Sequence, residues 1–239
     1  MKKNTNSGAV SAAAKNAKRV RGASGSSATR SAGSSKRITQ SPRTAQGSAT
    51  IERRSFAGQL VAACPQALVI TGLGSSSYDV FAGGDRPENF YLWGAMGGAA
   101  AMALGLAIAQ PQRSVLVVTG DGEQLMGLGA LATIGAQQPA NLSIVVLDNG
   151  LYGETGAQRS HTSHGTNLAA VARACGIADA HEMHNIAELP ALAARINARA
   201  GCLLVQVRVR PDDLPRILPP RDGVYLKNRF REALGFAPL

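Results

Sequence analysis

The stretch GDGEQLMGLGALATIGAQQPANLSIVVLDNG, Gly120–Gly150, decides how this chain folds. It opens directly after SVLVVT (Ser114–Thr119) and contains LSIVVL (Leu142–Leu147), two runs of strand length with hardly a polar residue. A strand that is apolar on every residue is buried on both faces, so it belongs to a parallel sheet covered on each side by helices. Between the runs, Gln124–Gln137 reads as a helix with Leu125, Leu128, Leu131 and Ile134 along one face. Working outward, ALVIT (Ala67–Thr71) is a third buried strand that ends in a Gly/Ser loop, Gly72–Ser77, and Leu203–Val209 is a last strand. Helices are expected at Ser55–Ala63, Gly94–Gln110, Asn167–Cys175 and Ile186–Ala198, and the closing Pro211–Leu239 reads as Pro-rich chain and then a short helix. No internal repeat is present. The expected fold is α/β: a doubly wound, mostly parallel sheet with helices on both faces.

The 239 residues carry 25 Lys and Arg against 15 Asp and Glu, a formal charge of +10 that suggests a polyanion partner. Its distribution removes that reading. Residues 1–51 hold ten basic residues and no acid, and from Glu52 onward the fifteen basic and fifteen acidic residues cancel. Residues 1–50 are Ser, Ala, Gly, Lys and Arg with almost no large apolar side chain, so they are expected to be a disordered basic tail. Residues 51–239 are then the folded domain. Nucleic acid is disfavoured as a partner because that domain is neutral. Cys64, Cys175 and Cys202 form no CxxC pair, which disfavours a disulfide framework or structural zinc. Ala95–Ala109 is the longest mostly apolar uncharged stretch and is shorter than the ~18 residues of a spanning helix. The expectation is a soluble cytoplasmic protein.

In open α/β sheets, ligands bind beyond the carboxyl ends of the strands. Three loops fall there: Gly72-Leu73-Gly74-Ser75-Ser76, Gly120-Asp121-Gly122 and Asp148-Asn149-Gly150. Asp121 and Asn149 are oxygen ligands suited to a hard cation, and Mg²⁺ is typically completed by substrate phosphates. The glycines expose backbone N–H groups to an anion. One carboxylate, one amide and several N–H groups at one place describe a Mg²⁺–diphosphate site. There is no GxxxxGK[ST], and the third glycine of GxGxxG is replaced by Ser77 in one loop and Leu125 in the other, so a Rossmann dinucleotide site is disfavoured. The anion is expected to be held by Mg²⁺, glycine N–H groups and helix ends rather than by Lys or Arg. Arg208 and Arg210, at the end of the last strand, read as solvated charges.

GDG at a strand end, then 26 residues (123–148) before an Asn that closes the next strand, then YG, resembles the motif of the thiamine diphosphate (ThDP) enzymes. With DRPENFYLWGAMG (Asp85–Gly97), the text is similar to the β subunit of sulfopyruvate decarboxylase and the matching half of phosphonopyruvate decarboxylase, over roughly residues 51–239. The resemblance implies Asp121 and Asn149 as side-chain Mg²⁺ ligands and Leu151 as a backbone-carbonyl ligand. It places Gly74, Ser75, Ser76, Gly122, Glu123, Tyr152 and Gly153 around the cofactor. It makes Met96, 25 residues before Asp121, the apolar wedge that bends the cofactor, and Gly94 the carbonyl facing the pyrimidine amine. Asp148 stands where the family commonly has the first of two Asn, a tolerated change because the second is the ligand.

The chemistry implied is decarboxylation of a 2-oxo acid by addition of the thiazolium ylid to the carbonyl carbon with loss of CO₂. The family's glutamate that protonates the pyrimidine comes from a second domain of similar size, and residues 1–50 are too short and polar to form it. The resemblance therefore implies a separate pyrimidine-binding (α-type) subunit, and a higher hetero-oligomer. His161, His164 and Arg159, just after the metal loop, are candidates for substrate contact. Rival readings are an acetolactate synthase-like carboligase subunit, or a non-catalytic binding or regulatory module of the same fold. Intact Asp121, Asn149 and Met96 weigh against the last.

Overall fold

The structure, a computed structural model, describes residues 50–239, so the expected disorder of the basic tail lies, Thr50 apart, outside the described residues. The chain runs α1 (Arg53–Ala63), β1 (Leu68–Thr71), α2 (Ser75–Ala82), β2 (Asn89–Tyr91), α3 (Ala99–Ala109), β3 (Val115–Gly120), α4 (Asp121–Met126), α5 (Ala130–Gln137) and β4 (Leu142–Asp148). It continues through β5 (Leu151–Tyr152), β6 (Gln158–Arg159), α6 (Leu168–Ala174), β7 (Asp179–Met183), α7 (Leu189–Ala198), β8 (Leu203–Arg208) and α8 (Gly223–Ala233). Six strands form one parallel sheet in the order β2-β1-β3-β4-β8-β7, and β5 with β6 makes a small antiparallel ribbon.

The alternation inside each strand explains the two-sided core. In β3, Leu116 and Val118 join Phe56 and Leu60 of α1 and Leu192 and Ile196 of α7 on one face. Val115 and Val117 join Ala103 of α3, Leu131 and Ile134 of α5 and Leu168 of α6 on the other. Each fully buried side chain of this kind contributes about 1.5–3 kcal/mol. α8 covers the β2 edge, with Phe230 edge-on to Phe90 at 5.6 Å between ring centroids.

Several expected boundaries move, each for a local reason. The single helix expected over Gln124–Gln137 is two, α4 and α5, interrupted at Gly127–Gly129. An interior glycine costs a helix only about 1 kcal/mol, so propensity alone does not require the break. A close approach does: a Cβ on Gly127 would lie 2.1 Å from the Gly97 carbonyl oxygen. The helix expected from Gly94 begins at Ala99, because Gly94 (φ +71) and Gly97 (φ +89) are in left-handed conformations. Part of the expected Gly72–Ser77 loop is the first turn of α2. Strands β2, β5, β6 and β7 were not expected. β7, reading DAHEM, is an edge strand whose charged residues mask its pattern.

Candidate cofactor and metal site

Strand register builds the site. Gly120 pairs with Leu147 in the β3–β4 ladder, so Asp121 and the Asp148-Asn149 pair leave neighbouring strands at adjacent levels. With the residues that follow β1, they line a cleft that opens to solvent. The strand order reverses between β1 and β3, and this is the crevice where open α/β sheets bind ligands.

Asp121 is 2% exposed. Its Oδ2 accepts hydrogen bonds from Ser160 Oγ and, at 3.2 Å, from Thr162 Oγ1. Oδ1 receives no side-chain hydrogen bond among the described residues. Burial, and then the neighbouring Asp148 carboxylate, push the Asp121 carboxyl up to about 6. A cation in the cleft opposes both effects. The Asn149 Oδ1 accepts from Leu151 N–H at 3.0 Å, and both residues line the cleft. Among the described residues no three His, Cys, Asp or Glu gather as a metal site. The oxygen donors are one carboxylate, one amide and a nearby carbonyl. That set leaves most of a Mg²⁺ coordination sphere to water and phosphate.

Asp148 has a different place. Its Oδ1 accepts from Gly150 N–H at 3.0 Å and Thr162 Oγ1 at 2.8 Å. Its Oδ2 accepts from Gln206 Nε2 and from Arg208, each at 2.6 Å. The β4–β8 register sets Asp148 opposite Arg208, and Arg208 also meets Glu182 at 2.9 Å. Arg208 is thus no solvated charge, as its strand-end position suggested: with its side chain 18% exposed, it balances a fully buried carboxylate. Arg210 pairs with Asp212 and is 45% exposed. Thr162 Oγ1 stands between Asp121 and Asp148, its single proton serving one carboxylate at a time, and so ties the loop after β6 to two strand ends.

The cleft wall gathers Ser75, Ser76, Met96, Asp121, Gly122, Glu123, Asn149, Leu151, Tyr152 and Gly153 from the expected set. Gly122 lies under the Tyr152 ring, and a Cβ there would be 2.7 Å from Tyr152 Cδ1. Glu123 is engaged by the protein itself: Oε2 accepts from Thr119 Oγ1 at 2.6 Å, and Oε1 from Ala99 N–H at 3.4 Å. It therefore braces the start of α3 against the end of β3, and burial raises its carboxyl. Met96 is 40% exposed at the cleft wall.

Other candidates fall outside the lining. Gly74, at the amino end of α2, has Glu154 beside it, and Gly94 is exposed. His161 is held by Tyr152, Oη to Nδ1 at 3.0 Å. Arg159 donates to the Ser163 carbonyl at 2.7 Å, and His164 is exposed. Sequence reasoning missed Ser160 and Thr162, although both lie in the same QRSHTSHGT text that supplied the histidines. It also missed Arg53, which is 6% exposed and lines the cleft.

Fold and strand-end site define an α/β protein with its ligand cleft at the carboxyl edge of a parallel sheet. Benzoylformate decarboxylase from Polynucleobacter necessarius shares this fold with a TM-score of 0.57 and 18% identity, over 74% of this chain and 36% of that one. Residues 74–207 match the family described as thiamine pyrophosphate enzyme, C-terminal TPP binding domain, and the chain belongs to that family. It is 41% identical over 179 residues to phosphonopyruvate decarboxylase of Streptomyces viridochromogenes, covering 72% of this chain and 44% of that one. It is 35% identical over 170 residues to sulfopyruvate decarboxylase subunit beta of Methanocaldococcus jannaschii, covering 70% and 88%. The chain spans under half the length of the phosphonopyruvate decarboxylases it matches.

Proposed function

We propose that this chain is the ThDP- and Mg²⁺-binding subunit of a two-chain 2-oxo acid decarboxylase of the sulfopyruvate and phosphonopyruvate kind, acting with a separate pyrimidine-binding subunit. The observation that carries the reading is the placement of Asp121, Asn149 and Leu151 around one cleft at the ends of adjacent strands. The residues present fit the group. Ser76 Oγ is buried in the cleft wall without a hydrogen-bond partner among the described residues, and Gly122 leaves the floor bare beside Asp121. The 88% coverage of a relative named as a β subunit supports the separate partner. No described helix is long and apolar enough to cross a membrane. The free thiols, with Cys64 and Cys202 buried, support a reducing compartment such as the cytoplasm.

When bound, the cofactor supplies the carbon nucleophile and the sink for the electron pair left by CO₂. The chain's own residues do the rest. Asp121 and Asn149 would hold the cation, whose charge would offset that of the diphosphate. Ser160 and Thr162 fix the Asp121 carboxylate through Oδ2 and leave Oδ1 for the metal. Met96 and Tyr152 give the cleft apolar wall surface.

Calorimetry tests the metal assignment: Asp121→Ala abolishes Mg²⁺-dependent ThDP binding, and an unchanged affinity refutes it. The two-chain reading predicts no 2-oxo acid turnover by the purified chain with ThDP and Mg²⁺ until a pyrimidine-domain chain is co-expressed. Robust turnover by the chain alone would overturn it.

A further inference from the structure

The cleft wall holds a cation that the diphosphate motif does not include. Arg53 opens α1 and is buried, and its Nε donates to Asp79 Oδ2. Arg54 donates to the other oxygen, Oδ1, at 3.0 Å. One fully buried carboxylate thus faces two guanidinium groups, and the second positive charge falls on Arg54, whose side chain is 22% exposed. Arg54 is the more exposed of the two and reaches the Pro215 carbonyl at 2.6 Å. Arg53 has no second hydrogen-bond partner among the described residues, and it lines the cleft. Asp79 balances the Arg53 charge through Nε, and the terminal guanidinium nitrogens are left as donors without an acceptor among the described residues, in a cleft that Asp121 and Glu123 also line.

Two neighbours describe that anion. Asp79 and Ser76 are three residues apart on α2 and share a face, and Arg53 and Ser76 line the same cleft. Ser76 is 3% exposed, and its Oγ has no partner among the described residues. Ser75 and Ser76 form the first turn of α2, an eight-residue helix whose Gly74 N-cap carries no side chain to satisfy the free N–H groups. An unpartnered hydroxyl, free N–H groups and a guanidinium fork are the donor set for a tetrahedral oxyanion. Of the acids at this end of the cleft, Glu154 beside Gly74 is met by Arg216 at 3.3 Å, and Glu123 beside Gly72 accepts from Thr119.

We infer that Arg53, Ser76 and the amino end of α2 form an oxyanion subsite in the cleft wall that takes a phosphate group by direct charge pairing. The subsite stands on these residues alone; that its phosphate belongs to a diphosphate cofactor rests on the function proposed above. It revises the expectation that no Lys or Arg would hold the anion.

The test is calorimetry on the full chain with four probes: inorganic phosphate and pyrophosphate without metal, and thiamine monophosphate and ThDP with Mg²⁺. Arg53→Gln lowers pyrophosphate affinity by about tenfold or more, Arg53→Lys loses less, and Ser76→Ala gives a smaller loss. Arg53→Gln leaves Asp79 with one partner, so Arg53→Gln/Asp79→Asn is made beside it, and the melting curve of each variant is recorded. A ThDP loss with thiamine monophosphate unchanged identifies the terminal phosphate of the cofactor as the occupant. A loss for inorganic phosphate with ThDP unchanged identifies a separate oxyanion, such as an acidic substrate group. Pyrophosphate binding that depends on Arg53 in a chain that binds no ThDP would keep the subsite and remove the cofactor reading. The inference is overturned if wild-type protein binds neither inorganic anion, or if the folded double variant binds both as tightly as wild type.

Discussion

Replacing Gly127 by alanine tests whether the loop that carries Met96 is held by a backbone contact. The new Cβ would lie 2.1 Å from the Gly97 carbonyl oxygen, 2.9 Å from its carbonyl carbon and 3.1 Å from its Cα. Ordinary carbon contacts are about 3.5 Å or longer, so one of the two chains must move by more than ~1 Å. Neither partner is a side chain that can swing aside. Gly97 is also held in a left-handed conformation. Forced overpacking of this kind costs about 1–3 kcal/mol. For a domain of this size that lowers the melting temperature by about 2–4 °C per kcal/mol, hence by about 2–12 °C. Gly129→Ala, two residues on, is the control. Gly129 is already helical (φ −61, ψ −24) and a Cβ there meets nothing within 4 Å. That substitution is expected to be neutral or to stabilise by about 0.4–1 kcal/mol. The assay is thermal unfolding by circular dichroism, with ThDP affinity measured alongside. Displacement of the loop also weakens ThDP binding in Gly127→Ala. If Gly127→Ala and Gly129→Ala melt together within about 1 °C, the close approach does not constrain the loop and the reasoning fails.

Three further outcomes are expected. Asp121 has a folded-state value raised from 3.8 to about 6, so its contribution to metal-free stability is full below 3.8 and is lost as pH rises through 6. Asp121→Asn therefore melts above wild type at pH 8 without Mg²⁺ and level with it at pH 4; a gap that does not change with pH refutes this. Arg208→Met leaves buried Asp148 without its cation and costs about 3–5 kcal/mol in denaturant unfolding. Asp148→Asn in the same chain recovers part of that loss, and additive losses would show that the two residues do not act as a pair. Deleting residues 1–50 leaves ThDP affinity and the melting temperature unchanged, and a tenfold loss of affinity would make the tail part of the site.

The legible parts of the fold were those governed by local pattern. SVLVVT and LSIVVL announce buried parallel strands because burial on two faces leaves no polar position. The strand ends at Gly120-Asp121-Gly122 and Asn149 were readable because an apolar run stops there at small and oxygen-bearing residues, and both meet the same cleft. Edge strand β7 was not readable, since its open edge admits charged residues that remove the pattern, and β2, three residues long, is too short to show one. The break between α4 and α5 was hidden as well, because Gly127 is required by Gly97, a residue 30 positions away.

The sequence by itself determined the fold class, the neutral charge balance of residues 52–239, and the oxygen-bearing and glycine residues at the strand ends on which the proposed cofactor site rests. These follow from short-range spacing, which sets strand, helix and loop chemistry within a few residues. Only the tertiary structure decided what each charge does. It paired Arg208 with Asp148 across the β4–β8 register, turned Ser160 and Thr162 onto Asp121, and brought Arg53 from the first helix to the wall of the cleft that Ser76 also lines. Such assignments depend on which residues meet across the sheet and between helices, and on burial, which gives a charge its energetic weight. Neither is written in the local text.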